Sequence, residues 1–236
     1  MIGCAMRRFL GCLGIVLIVL VIGLGILDRV AHSAAQSELA GRIQSGFQLE
    51  SEPAVAIAGF PFLTQAVSGT YDEIRVTMGE QTYEDVQVSS VDVYLREVQA
   101  PLSDLLTSGA ASVVAGSAEG TVVVPYSEVQ RRAPEGFEIT PEGDLLRIDG
   151  QITALGMAVP VSATLALEVT EEGLQAVPQQ VSVDSVPIEA VQDQLGFGMG
   201  FSTLPMGLQI SDAVVRDEGI AITATGQDIP LSQTPQ

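Results

Sequence analysis

Residues 9–27 contain no charged side chain and are mostly Leu, Ile, Val and Gly. As a helix rising 1.5 Å per residue, the run spans roughly 28 Å, close to the hydrocarbon thickness of a bilayer. The rest of the chain must therefore fold beside a membrane or after crossing one. Arg7 and Arg8 precede the run. Basic flanks stay cytoplasmic, so residues 1–8 are expected inside and everything from Asp28 outside. A cleaved secretion signal also follows basic residues, and cleavage would leave a secreted domain. Signal stretches are usually shorter, however, and the small residues suited to cleavage (Ser33, Ala34, Ala35) lie beyond Asp28 and Arg29. A retained anchor is the preferred reading.

Leu10-Gly11-Cys12 resembles the end of a lipoprotein processing site, but such a cysteine closes a hydrophobic segment and Cys12 precedes this one. Cys4 and Cys12 are the two cysteines, so the part from Asp28 onward has no disulfide framework and no Cys-ligated metal. Its stability must come from a core, and its length suits one core better than two. All 29 acidic residues lie from Asp28 onward with 8 of the 10 basic ones, giving 8 − 29 = −21. Such a domain has no electrostatic route to nucleic acid or to an anionic membrane surface. If it handles lipid, apolar contact must supply the affinity.

Ser33-Ala34-Ala35-Gln36 fits a capping box at a helix start. Ala31, Ala35, Leu39 and Ile43 recur every four residues, and Glu38 with Arg42 makes an i,i+4 pair. Gly46 is the expected stop, and this helix is able to continue the anchor outward. From Glu50 the period changes to two. Val55 to Ile57, Ile74 to Met78, Val86 to Val88 and Val91 to Leu95 alternate with polar neighbours. So do Leu146 to Ile152, Val159 to Val169, Val181 to Val183, Leu208 to Ile210 and Ile220 to Ala224. Half-buried antiparallel strands read this way. Turns are expected at Glu142-Gly143-Asp144, Glu171-Glu172-Gly173 and Asp217-Glu218-Gly219, and the pattern predicts a β-meander. Short helices are expected over 125–130 and 187–192, with a further helical turn at 102–106.

Little here suggests catalysis. His32 is the only histidine, and a juxtamembrane helix is a poor place for a general base; a solvated or interfacial side chain is expected. Nucleophile triads and His-based zinc sites are excluded for want of partners. Carboxylate pairs such as Asp72-Glu73 and Glu84-Asp85 sit at turns or strand edges, where acids ordinarily solvate the surface, and no tryptophan is present to stack on sugar. No stretch matches an EF-hand loop. Gly196-Phe197-Gly198-Met199-Gly200-Phe201 has the wrong spacing for a phosphate loop. Like Gly59-Phe60-Pro61-Phe62-Leu63, it sets large apolar side chains on flexible backbone. These either plug the ends of a core or line an apolar cavity.

Gly59-Phe60-Pro61-Phe62-Leu63-Thr64-Gln65, Gly69, Ile74-Arg75-Val76 and Val91-Asp92-Val93-Tyr94-Leu95 carry a resemblance. With Leu204-Pro205-Met206-Gly207-Leu208 through Gly219 to Gly226, the chain resembles the LmeA-type phospholipid-binding proteins of the actinobacterial cell envelope. The resemblance runs from about Ala31 to Leu231. It implies a tubular lipid-binding type of fold, α+β but mostly β, with a curved antiparallel sheet wrapped on a long helix after one transmembrane helix. It also implies non-catalytic phospholipid binding in a periplasm-like space, without cofactor or metal. The expected segments are 1–8 cytoplasmic, 9–27 transmembrane, 28–46 juxtamembrane helix, 47–230 lipid-binding domain and 231–236 tail. Phe60, Pro61, Phe62 and Leu63 are the expected lipid contacts from the resemblance; Phe197, Met199, Phe201 and Leu204 are added from their own chemistry. Arg131-Arg132 is the one paired basic site beyond the anchor and either meets a phosphate or forms the solvated face of a short helix. The rival reading is a membrane-tethered scaffold for envelope assembly with no lipid ligand. The sequence names no protein partner.

Overall fold

The computed structural model describes residues 2–83, 86–100, 113–154, 157–170, 173–183, 197–200, 204 and 207–231. The expected helices over 102–106 and 187–192, the Glu171-Glu172 turn, Phe201 and most of the 231–236 tail lie outside them. The domain is mostly β, a curled half-barrel of strands with a long apolar helix at its N-terminus.

That helix, α1 (Ile2–Phe47), is unbroken. Ser33 lies inside it, its hydroxyl donating to the Val30 carbonyl at 3.1 Å, so the expected capping box at Ser33 is corrected. An 18-residue window of the helix reaches a mean hydropathy of 2.5 with its side chains exposed, making α1 a candidate membrane span or signal. Farther along, Ala31, Ala35, Leu39 and Ile43 form the packed stripe that the four-residue recurrence predicts. Glu38 accepts from Arg42 at 2.9 Å.

Two sheets follow. The larger has the order β1-β2-β5-β6-β13-β12, built from β1 (Ala54–Ile57), β2 (Thr70–Met78), β5 (Ser90–Gln99), β6 (Val114–Pro125), β12 (Gln209–Arg216) and β13 (Gly219–Pro230). The smaller is a true meander, with β7 (Phe137–Glu142), β8 (Leu145–Ala154), β9 (Met157–Thr170), β10 (Gly173–Val183) and β11 (Phe197–Gly200) in chain order. A hairpin of β3 (Gln81–Tyr83) and β4 (Val86–Val88) stands between β2 and β5, and the short helices are α2 (Phe62–Ser68) and α3 (Tyr126–Arg132). The all-meander expectation is therefore corrected. The chain leaves the large sheet after β6, builds the small one, and returns to lay β13 against β6. Local alternation cannot reveal such a return.

Cross-strand register gives the large sheet one apolar face. Val91, Val122 and Ile222 are successive partners on it, as are Ile74, Leu95 and Ala118. The opposite face is polar through its middle, with Val123 and Ala221 buried at one end. Arg75 donates to Asp92 at 2.7 Å and lies 4.9 Å over the Tyr94 ring, while Thr121 and Thr223 share a hydrogen bond. On the apolar face two cores form. One packs Ile57, Phe62, Ile74, Val76, Val98, Ala115, Ala118 and Ile229 against the α1 stripe. The other joins Val124, Ile220 and Ile222 to Leu146, Ile148 and Leu165 of the small sheet, with Val129 of α3.

Hydrogen bonds lock α1 to the domain. The N-cap of α2 is Pro61, whose side chain has no acceptor. The missing acceptor comes from Asp28, 35 residues earlier, whose Oδ1 takes the Leu63 N–H at 2.8 Å. Asp28 is only 4% exposed. One turn later, His32 Nε2 meets the Ile57 carbonyl at 2.8 Å and its ring lies 5.3 Å from that of Phe62. The solvated His32 expected from sequence is thereby corrected to a half-buried staple. Asp28→Ala is expected to cost about 1 kcal/mol, the usual value of a lost cap. For a domain of this size that lowers the thermal midpoint by roughly 2–4 °C, measurable by scanning calorimetry.

Gly219 starts β13 at φ 156°. A Cβ there would run into the Val124 carbonyl oxygen of the neighbouring strand, so the turn at Asp217-Glu218 closes only on glycine.

Candidate functional site

Between the two cores the apolar face carries a row with small residues at its middle. Val55, Val76, Val93, Gly120, Ala224 and Ile210 are successive cross-strand partners spanning all six strands of the large sheet. At the β1–β5 side this row is part of the α1 core, which includes Val55, Val76 and Val93. At the far side, Ile210 packs on the small-sheet core. Gly120 and Ala224 in the middle belong to neither core and are half-buried. Among the described residues, a Cβ on Gly120 would meet one atom within 4 Å, the Val93 Cγ2 at 3.9 Å. Small side chains thus stand, among the described residues, at the middle of this row, with larger ones on both sides.

The residues expected as lipid contacts do not gather here. Phe62 is 6% exposed and packed in the α1 core against His32 and Tyr71. Leu63 is half-buried and held through its N–H by Asp28. Pro61 is exposed and follows a cis peptide bond, and Phe60 points away from the core, 70% exposed, with the Arg29 guanidinium 5.9 Å from its ring. Phe197 packs on the other core. The flexible loop expected around Phe197 and Met199 is corrected to strand β11, where Met199 pairs with Leu174 of β10. Leu204 is half-buried. Phe62 and Phe197 thus belong to different cores.

Two hollows lie elsewhere. A crevice lined by Val129, Arg132, Leu167, Leu174, Phe197 and Ile220 encloses only about 10 Å³, room for about one water. A wider depression of about 410 Å³ crosses the polar face and carries Arg96, which pairs with Glu73 and Glu119; its walls are wrong for an acyl chain.

Arg131 and Arg132 both reach Glu128, which is 2% exposed. Burial is the strongest single influence on this carboxyl and opposes its charge. The Arg132 hydrogen bond and charge, the Gln87 backbone and the Arg131 charge together outweigh it and hold the pKa below the ordinary carboxylate value. Gln130 beside them donates to the Phe137 carbonyl at 2.6 Å and accepts from the Ile139 N–H at 2.8 Å, satisfying the free edge of β7. The arginines thus serve a buried carboxylate, and the 1,4,5 spacing of Glu128, Arg131 and Arg132 was the signal for it.

Among the described residues no His, Cys, Asp and Glu side chains cluster as a metal site would require. Sequence reasoning missed Gly120 and Ala224 as site residues, because only cross-strand register sets them side by side.

No curated protein and no solved structure matches the chain significantly. A family model does, over residues 26–225, which takes in the C-terminal half of α1, most of both cores and the row between them. With most of its length so covered, the chain belongs to the LmeA-like phospholipid-binding family.

Proposed function

We propose that the domain holds a phospholipid non-catalytically, with acyl chain laid over the Val93–Gly120–Ala224–Ile210 row. The observation that carries this is the pairing of Gly120 with Ala224 in the middle of an apolar row, where among the described residues a Cβ on Gly120 would meet only Val93. Membership of a phospholipid-binding family supports the ligand class. Each methylene removed from water contributes about 0.8 kcal/mol, so a dozen supply about 10 kcal/mol before ordering costs, enough for micromolar binding or tighter. In this reading α1 is retained as an anchor, with the domain on the extracytoplasmic side. A headgroup role for Arg131 and Arg132 is secondary, since both already neutralise Glu128.

One observation favours the rival scaffold reading: Phe62 lies in a filled core and the crevice beside Phe197 is too small for a chain. Native mass spectrometry separates the two. A chain beginning at Ile26 keeps Asp28 and His32 with their partners. It is expected to carry stoichiometric phospholipid after gentle purification, or to take it up from vesicles. A protein that stays lipid-free through both steps would leave the scaffold.

A further inference from the structure

Among the aromatic side chains of the described residues, Phe60 is the most exposed, at 70%. Its position along α1 is fixed by two contacts. Leu63, three residues later, hydrogen-bonds Asp28 at 2.8 Å, and the Phe60 ring lies 5.9 Å from the Arg29 guanidinium. The uncharged run of α1 ends at Leu27, and the helix continues through that point without a break. Where α1 crosses a bilayer, Asp28 and Arg29 therefore stand at its surface, and Phe60 stands at their level. Val67, 79% exposed on the same seven-residue α2, lies within roughly 10 Å of that level.

We infer that Phe60 and Arg29 form a membrane-seating contact: the ring enters the boundary between headgroups and acyl chains while the guanidinium meets lipid phosphate. The occupant is the phospholipid bilayer in which the chain's own helix sits. Continuity with the apolar run identifies it, and so does charge. The exported part carries 8 − 29 = −21 and would be repelled from an anionic surface on most faces, but here it offers a cation beside an aromatic ring. Interfacial anchors combine those two chemistries, the apolar side chain reaching the acyl boundary and the basic one staying with the phosphates. The consequence is orientation. With Asp28 and His32 fixing the domain to α1 and Phe60 seated, the domain has one tilt relative to the membrane rather than a swivel. The inference rests on α1 spanning the bilayer and not on the row between the cores.

The chain contains no tryptophan, so single substitutions in the full-length protein are clean reporters. Phe60→Trp, Ile18→Trp in the middle of the apolar run, and Phe47→Trp at the far end of α1 would each be reconstituted in phosphatidylcholine–phosphatidylglycerol vesicles. Phe47 stands about 28 Å beyond Asp28 along the helix, and serves as the water reference. Lipids brominated near the headgroup or near the chain end then report depth. Phe60→Trp is expected to emit to the blue of Phe47→Trp and to lose most of its emission to shallow bromines, while Ile18→Trp is quenched by deep ones. Phe60→Trp emitting like Phe47→Trp and escaping quenching, in vesicles where Ile18→Trp is quenched, would overturn the inference and leave the membrane span standing.

Discussion

Replacing Gly120 with leucine is expected to remove lipid binding while leaving the protein as stable as before, or slightly more so. The added side chain enters the space above the sheet, where its first carbon makes ordinary contact with Val93 at 3.9 Å. Four carbons there displace about four methylenes of a bound chain. At about 0.8 kcal/mol each, that forfeits about 3 kcal/mol, or roughly a hundredfold in affinity. Glycine inside a strand costs about 0.5–1 kcal/mol in backbone entropy, so its replacement shifts stability in the opposite direction. A titration with fluorescent phospholipid and a thermal melt on the same sample check both signs. Lost affinity accompanied by a lowered midpoint would mean general damage instead of a filled groove.

The second large effect belongs to the carboxylate under α3. Arg131→Ala with Arg132→Ala leaves Glu128, 2% exposed, without its two guanidiniums. Breaking a buried pair costs about 3–5 kcal/mol. Because Arg131 is largely in solvent, the lower figure applies, and about 3 kcal/mol lowers the midpoint by roughly 6–12 °C. The sign with pH follows from the direction of the shift. In the native protein the folded pKa of Glu128 is depressed, so its contribution is present above the ordinary value of 4.5 and fades as pH falls through the lower folded value. Without the arginines, burial outweighs the remaining Gln87 backbone hydrogen bond and raises the folded pKa, so the variant recovers stability as its carboxyl protonates. The difference between variant and native midpoints is therefore expected to be widest near neutral pH and to narrow on acidification. A difference independent of pH would place the damage elsewhere than in Glu128.

Much of the fold was legible because burial on one face leaves a mark with the period of the element. Val159 to Val169 and Ile220 to Ala224 read as strands, and Ala31, Ala35, Leu39 and Ile43 as a helical stripe, since each set faces a single neighbour. β6 was not legible. Its centre reads Ala115-Gly116-Ser117-Ala118-Glu119-Gly120, with alanine and glycine where alternation would need large apolar residues. Yet β6 sits between β5 and β13, and those small residues put Ala115 and Ala118 in the core that packs on the α1 stripe and Gly120 at the middle of the row. The site is thus hardest to read where it is most open, because an absent side chain leaves no periodic signal. Asp28 was hidden differently: a cap supplied across 35 residues has no local signature, and the residue reads as a helix charge until α2 is seen against it. Phe60 and Phe62 were visible as unusual, but two residues of spacing cannot say that one is buried and its neighbour faces out.

The central claim, that an acyl chain lies across the row between the two cores, is tested most directly by photolabelling. A phospholipid with a mid-chain diazirine, bound to the chain from Ile26 and irradiated, marks what its acyl chain touches, and peptide mass spectrometry locates the adducts. Labels are expected on β6 and β13 around Gly120 and Ala224, with others on the flanking Val93 and Ile210, and the pattern should vanish in Gly120→Leu. Adducts confined to the polar face around Arg96, or spread evenly over the surface, would contradict the account.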